Sequence, residues 1–179
     1  MIKQLYHFLH PKFRNLFLKY DVDFKPRYGY GRPPHPELLR IIEANRGSYK
    51  EWIAKALSLQ QHILTINDAK TEPDPLQPVW NNGFLPGLDI VMLYTLITEC
   101  KPKRYVEIGS GNSTKVAYKA KKEQSPDTEI ISIDPKPRAE IDAIANEIVR
   151  TPFENINYDI TGMLQENDIL FVDNSHRIL

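Results

Sequence analysis

The apolar positions of this chain follow two different periods, and the change falls near residue 104. Ile2, Leu5, Leu9, Phe13, Leu16, Phe17 and Tyr20 recur at helical spacing, and Pro11 divides the segment into two short predicted helices with one face for a core. Pro26, Pro33, Pro34 and Pro36 among Tyr28, Gly29, Tyr30 and Gly31 then predict a loop over 24–36. Between 37 and 66, Leu38, Ile41, Ile42, Ile53, Leu57 and Ile63 predict two helices. The break falls near Asn45-Arg-Gly-Ser48, with Ser48 as N-cap and Glu51 as its capping-box partner. A second proline-rich linker covers 67–86 and holds the Asn81-Asn82-Gly83 turn. It leads into a strongly apolar helix over Leu88–Cys100, stopped by Lys101-Pro102-Lys103.

Beyond residue 104 the runs shorten and become β-rich. Tyr105–Ile108, Glu129–Ile133 and Ile169–Val172 read as strands, with a weaker one at Asn155–Tyr158. Lys115–Glu123 and Ala139–Val149 read as helices between them. Strand–helix alternation predicts an α/β fold: a Rossmann-like parallel sheet with right-handed crossovers over 78–179, preceded by a helical N-terminal extension over 1–77.

Composition adds bounds. The 179 residues carry 23 basic and 23 acidic side chains, unevenly spread. Residues 1–70 hold twelve basic and six acidic groups, residues 71–179 eleven and seventeen. Two differently solvated surfaces explain this, and the lack of a dense basic run argues against a nucleic-acid partner. Cys100 is the only cysteine, so no intrachain disulfide forms; a buried, inert thiol in a reducing compartment is expected. No segment reaches the roughly 18–20 apolar residues that span a bilayer, and Gln4, His7 and His10 interrupt the N-terminal apolar positions. These features predict a cytoplasmic protein with no membrane span.

In a parallel sheet, ligands bind beyond the carboxyl ends of the strands, near the reversal of strand order. Three predicted ends carry polar residues. The first holds Glu107, Gly109, Ser110, Gly111, Asn112, Ser113 and Thr114. The second holds Asp134, 25 residues after Gly109, and the last holds Asp173, Asn174, Ser175 and His176. Glycines let a backbone approach a ligand, and an acid at the second strand end can accept both hydroxyls of a ribose. Asp134 also suits a helix N-cap ahead of Pro135 and Pro137. Thr114 stands where a dinucleotide fold places its third glycine, so the turn departs from a pyrophosphate-binding one.

Val106-Glu-Ile-Gly-Ser-Gly-Asn-Ser-Thr114 resembles motif I of class I S-adenosylmethionine-dependent methyltransferases. Ile131-Ser-Ile-Asp134 looks like their ribose-binding strand end, and Asp168-Ile-Leu-Phe-Val-Asp-Asn-Ser-His176 like their fourth strand. Trp80-Asn-Asn-Gly-Phe-Leu-Pro-Gly-Leu-Asp89 is similar to the lead-in segment of one bacterial subgroup, and the resemblance covers roughly 78–179. It implies S-adenosylmethionine as cofactor and a small-molecule acceptor. Glu107 and the Gly109–Gly111 backbone, with Ser110, Asn112 and Ser113, would face the methionine portion. Asp134 would hold the ribose and Asp159 the adenine amine, while Asn82 and Asp89 would line the amino-acid end; a turn residue and a helix first-turn carboxylate are the alternatives for these two.

His176 is the candidate base for a hydroxyl acceptor, or a plain strand-end histidine. Asp173 would touch the cofactor, orient the acceptor or help hold a divalent ion; one carboxylate and one histidine are too few for a metal site, so none is expected. Relatives of this type have longer sheets whose later strands supply the acceptor half. The chain is therefore expected to be an incomplete domain, with an apolar fourth-strand edge open to homodimer formation. Two other readings stand beside it: a catalytically silent cofactor-binding or interaction module, and a nicotinamide-dependent oxidoreductase, which Glu107 and Thr114 disfavour.

Overall fold

A computed structural model describes residues 2–11, 25–157 and 159–173, without the side chains of residues 2–4 and 7. The chain divides into two units, Met1–Asn45 and Arg46–Leu179. The first contains helices α1 (Ile2–Leu9) and α2 (Pro36–Ala44). His35 caps α2 by accepting the Leu38 backbone N–H, and Asn45 closes it by donating its side-chain amide to the Ile41 carbonyl at 2.9 Å. Leu5 and Leu9 of α1 are exposed, and no residue of α2 is buried, so these stripes are not core faces here. The second predicted helix, around Phe13–Tyr20, lies outside the described residues.

The second unit begins with α3 (Arg46–Ser58) and α4 (Gln60–Ile63). Ser48 lies inside α3 and does not cap it, because the helix starts directly after the Asn45 stop. Next come α5 (Gly87–Cys100), β1 (Arg104–Ile108), α6 (Asn112–Gln124), β2 (Glu129–Ile133), β3 (Glu147–Val149), α7 (Ile160–Met163) and β4 (Ile169–Val172). The α/β expectation is met: the four strands form one all-parallel sheet in the order β3-β2-β1-β4. The order reverses at β1, whose neighbours are β2 and β4, and that reversal fixes where a crevice can open.

Alternation along the strands sorts the core into two layers. Tyr105 and Ile130 face α5 and α6, packing with Tyr94, Ile97, Val116 and Ala120, and Ile63 and Ile66 extend this layer. Val106, Ile108, Ile131 and Ile133 form the opposite layer with Ile160 of α7. In β4, Ile169 and Phe171 pack on the first layer, whereas Leu170 and Val172 are 41% and 56% exposed. Cys100 ends α5 half-buried.

Two predicted elements are displaced. No helix spans Ala139–Val149. Ile141 and Ile144 are buried from a single turn, and Ile148 and Val149 instead pair with Ser132 and Ile133 as β3. The reason lies in the end of the segment: Asn146 uses its backbone N–H on the Ile130 carbonyl and its side chain on the Ile130 N–H. A helix would have to keep that backbone donor within itself. The strand expected at Asn155–Tyr158 is also absent over its described part; Phe153–Asn155 is a 3₁₀ turn.

Candidate functional site

The chain leaves β1 through a turn only glycine adopts without strain. Gly109 has φ 87° and Gly111 φ 154°. Three backbone donors of this turn have defined acceptors. Gly109 N–H donates to the Ile133 carbonyl at 3.0 Å, Ser110 N–H to Asp134 Oδ2 at 2.8 Å, and Gly111 N–H to Thr114 Oγ1 at 3.0 Å. The turn is thereby tied to the end of β2 and to the first turn of α6.

Glu107 lies beneath this arrangement and is fully buried. It shares a sheet face with Tyr105, so strand alternation sends its carboxylate under α6 and away from the strand-end crevice. There it accepts three hydroxyls: Tyr105 at 3.3 Å and Ser113 at 3.0 Å on Oε2, and Thr114 on Oε1. Burial pushes the carboxyl up to about 7; the three hydroxyl donors work against that rise, and the charge of Asp134 adds to it. Gly111 N–H, Thr114 Oγ1 and Glu107 Oε1 thus form a relay from the turn to the carboxylate. Thr114, which stands in place of a third glycine, is a hydrogen-bonding residue of the helix start.

A cleft of about 530 Å³ opens beyond the ends of β1, β2 and β4. Gly109, Ser110, Gly111, Asn112, Ser113, Asp134 and Asp173 line it, so seven of the expected site residues converge. Asp134 accepts Ser110 N–H on one oxygen and Lys136 N–H, at 2.7 Å, on the other, which leaves further lone pairs toward the cleft. The Asp173 backbone N–H donates to the Ile108 carbonyl at 2.9 Å and anchors the backbone of this residue just past β4. Ser110 is buried, and its Oγ has no hydrogen-bond partner among the described residues.

The other expected residues are elsewhere. Glu107 is behind the cleft and not on its wall. Asn82 builds a turn: its side chain donates to the Val79 and Leu85 carbonyls and accepts from the Phe84 and Leu85 backbone N–H groups. Asp159 caps α7, and the Gly162 N–H it accepts at 2.9 Å holds its carboxyl below the usual range. Asp89 is exposed in the first turn of α5. His176 lies outside the described residues.

Phe84, Leu85, Lys136, Arg138 and Phe153 also line the cleft, and sequence reasoning assigned them no role. Asn82 presents the first two through its turn. Lys136 and Arg138 follow directly on the strand-end acid, a proximity in sequence that could have flagged them. Among the described residues, no three His, Cys, Asp or Glu side chains come together to hold a metal, and no helix is long and apolar enough to cross a membrane. No family model matches the chain, and neither a curated protein nor a solved structure is significantly similar to it.

Proposed function

We propose that this chain binds S-adenosylmethionine and serves a methyltransferase activity on a small-molecule acceptor. One observation carries the reading: the Gly109–Gly111 turn, Asp134 and Asp173 meet on a single cleft at the reversal of strand order, where the buried Ser110 hydroxyl has no partner among the described residues. Positive-φ glycines suit close backbone approach, and Asp134 retains lone pairs for a ribose diol. Glu107 does not fit the direct contact expected of it; its part is to hold the turn.

The cofactor, when bound, supplies a methyl group already activated on a sulfonium. The protein's work is then to position and exclude water. The Gly109–Gly111 backbone and Ser110 seat one end, Asp134 orients the sugar, and Asp173 directs the acceptor. His176 takes the acceptor's proton where that acceptor is a hydroxyl. A cytoplasmic location and a homodimer formed through the β4 edge belong to the same reading, the latter resting on exposed Leu170 and Val172.

A calorimetric titration with S-adenosylmethionine, S-adenosylhomocysteine and NAD tests the proposal. Binding of the first two and not of NAD is expected. Binding of NAD alone would replace the reading with a nicotinamide-dependent one. A second reading, a ligand-binding module without catalysis, draws on the commitment of Glu107 and of both Asp134 oxygens to internal hydrogen bonds. Methyl-donor binding without turnover on any acceptor would favour it.

A further inference from the structure

The segment Asp134-Pro-Lys-Pro-Arg138 leaves β2 and forms one wall of the cleft, with Lys136 and Arg138 both on its lining. It is held from several directions. Asp134 accepts the Lys136 backbone N–H, Arg150 donates to the Asp134 carbonyl at 3.0 Å, and Arg150 is itself ion-paired with Asp142. Pro135 and Pro137 fix two φ angles. The inner side rests on the glycine turn: a Cβ at Gly111 would come 3.7 Å from Ala139 N and 3.8 Å from Arg138 Cβ.

On this wall the central carbon of the Arg138 guanidinium lies over the Phe84 ring, 5.0 Å from its centroid. A cation–π contact engages the positive charge and does not itself consume the N–H donors, which stay available for another partner. Among the described residues, neither the Lys136 nor the Arg138 side chain has a hydrogen-bond or ion-pair partner. Arg40, Lys55, Arg104, Lys119 and Arg150 each face a carboxylate. Glu154 and Asp173 also line the cleft and add negative charge to its walls. The walls therefore favour a ligand with its negative charge at one end only.

We propose that Lys136 and Arg138, backed by Phe84, bind the carboxylate or phosphate group of a small anionic acceptor. Arg138 supplies a planar fork for two oxygens, Lys136 a second positive charge, and Phe84 and Phe153 apolar area for the rest of the molecule. The inference rests on the methyltransferase reading only in calling this ligand the acceptor; the anion site stands on its own geometry.

The test titrates the full chain with phenyl phosphate, benzoate and neutral benzamide, with and without saturating S-adenosylhomocysteine. At least one anion should bind about tenfold or more tightly than benzamide, the better of the two identifying phosphate or carboxylate, and about 0.5 M salt should weaken it. Arg138→Ala should lower that affinity about tenfold and Arg138→Lys less, because lysine keeps the charge and loses the fork. Melting curves check that the variants remain folded. Benzamide binding as tightly as both anions, or Arg138→Ala leaving anion affinity unchanged, would overturn the proposal. Anion binding that depends on Arg138 in a chain that ignores S-adenosylhomocysteine would keep the anion site and remove the methyltransferase reading. The reverse pattern would remove the anion site alone.

Discussion

The ends of β1 and β2 each carry an acid beside the cleft, and the two acids do opposite work. Glu107 lies one residue before the end of its strand, and Asp134 one residue beyond the end of its own. The pleat turns the first under α6, where it is fully buried and three hydroxyls surround it. The second is half-exposed and lines the crevice. Burial pushes Glu107 up to about 7, the response of a carboxyl that has lost its solvation. Position relative to the strand end, more than residue type, separates an acid that organises a site from one that meets a ligand.

Glu107→Ala is the most severe way to break that contrast. It strands the Ser113, Thr114 and Tyr105 hydroxyls in a dry interior and opens a void, at a cost of about 3–4 kcal/mol. For a chain of this length that lowers Tm by roughly 6–16 °C in a thermal melt. Asp134→Ala should lower Tm far less; comparable losses for both would erase the distinction.

The pH dependence of stability sharpens it. Glu107 has its folded pKa raised from 4.5 to about 7, so its contribution is fully present below about pH 4.5 and is lost as pH rises through 7. The swing amounts to about 3 kcal/mol. Asp68, Asp74 and Glu123 are held below their usual range and act in the opposite direction, so the measurement is the difference between the native chain and Glu107→Gln in urea unfolding. That difference should shrink toward zero at low pH and favour glutamine above pH 7. A difference that is flat from pH 4 to 8 would mean that Glu107 is not buried as described.

Much of this was legible in the chain. The strands at 105–108, 129–133 and 169–172 stood out because short β-branched runs lay between clear helix and turn signals. The glycine turn and Asp134 were legible because a parallel sheet presents ligands at strand ends. The inward turn of Glu107 was also present, in the alternation with Tyr105, but a motif that pairs an acid with glycines draws attention to the ligand. The second crossover was not legible. Ala139–Val149 has helical composition, and only the contact of Asn146 with Ile130, made across the sheet, diverts its end into β3. Asn82 takes the turn role that stood as its alternative, and its four hydrogen bonds within 79–85 are likewise a property of the folded turn.

Thr114→Val probes the link between the two regions, since the threonine hydroxyl joins the Gly111 N–H to Glu107. Valine keeps the volume and removes both bonds, leaving a buried amide unpaired at a cost of about 2 kcal/mol. Urea unfolding measures that loss. Gly111 is also where the 138–139 loop rests, so the altered turn should weaken S-adenosylhomocysteine binding as well. Full stability in Thr114→Val would show that the relay is not needed to hold the turn.

The smallest expected effect on the fold comes from Asp134. Asparagine at this position keeps one oxygen for the Ser110 N–H and gives up the charge. The group is partly solvated and its hydrogen bonds are local, so Asp134→Asn should cost about 1 kcal/mol in urea unfolding. Its effect on binding should be larger than its effect on folding. A carboxylate accepting two ribose hydroxyls makes charge-assisted bonds that an amide cannot reproduce, and the loss of one should lower S-adenosylhomocysteine affinity about tenfold or more. Glu107→Gln should show the inverse ratio, moving stability with pH while leaving the cleft lining intact. Similar ratios of binding loss to stability loss in the two variants would mean that both acids serve the fold, and the cleft would then need another group to meet a ribose.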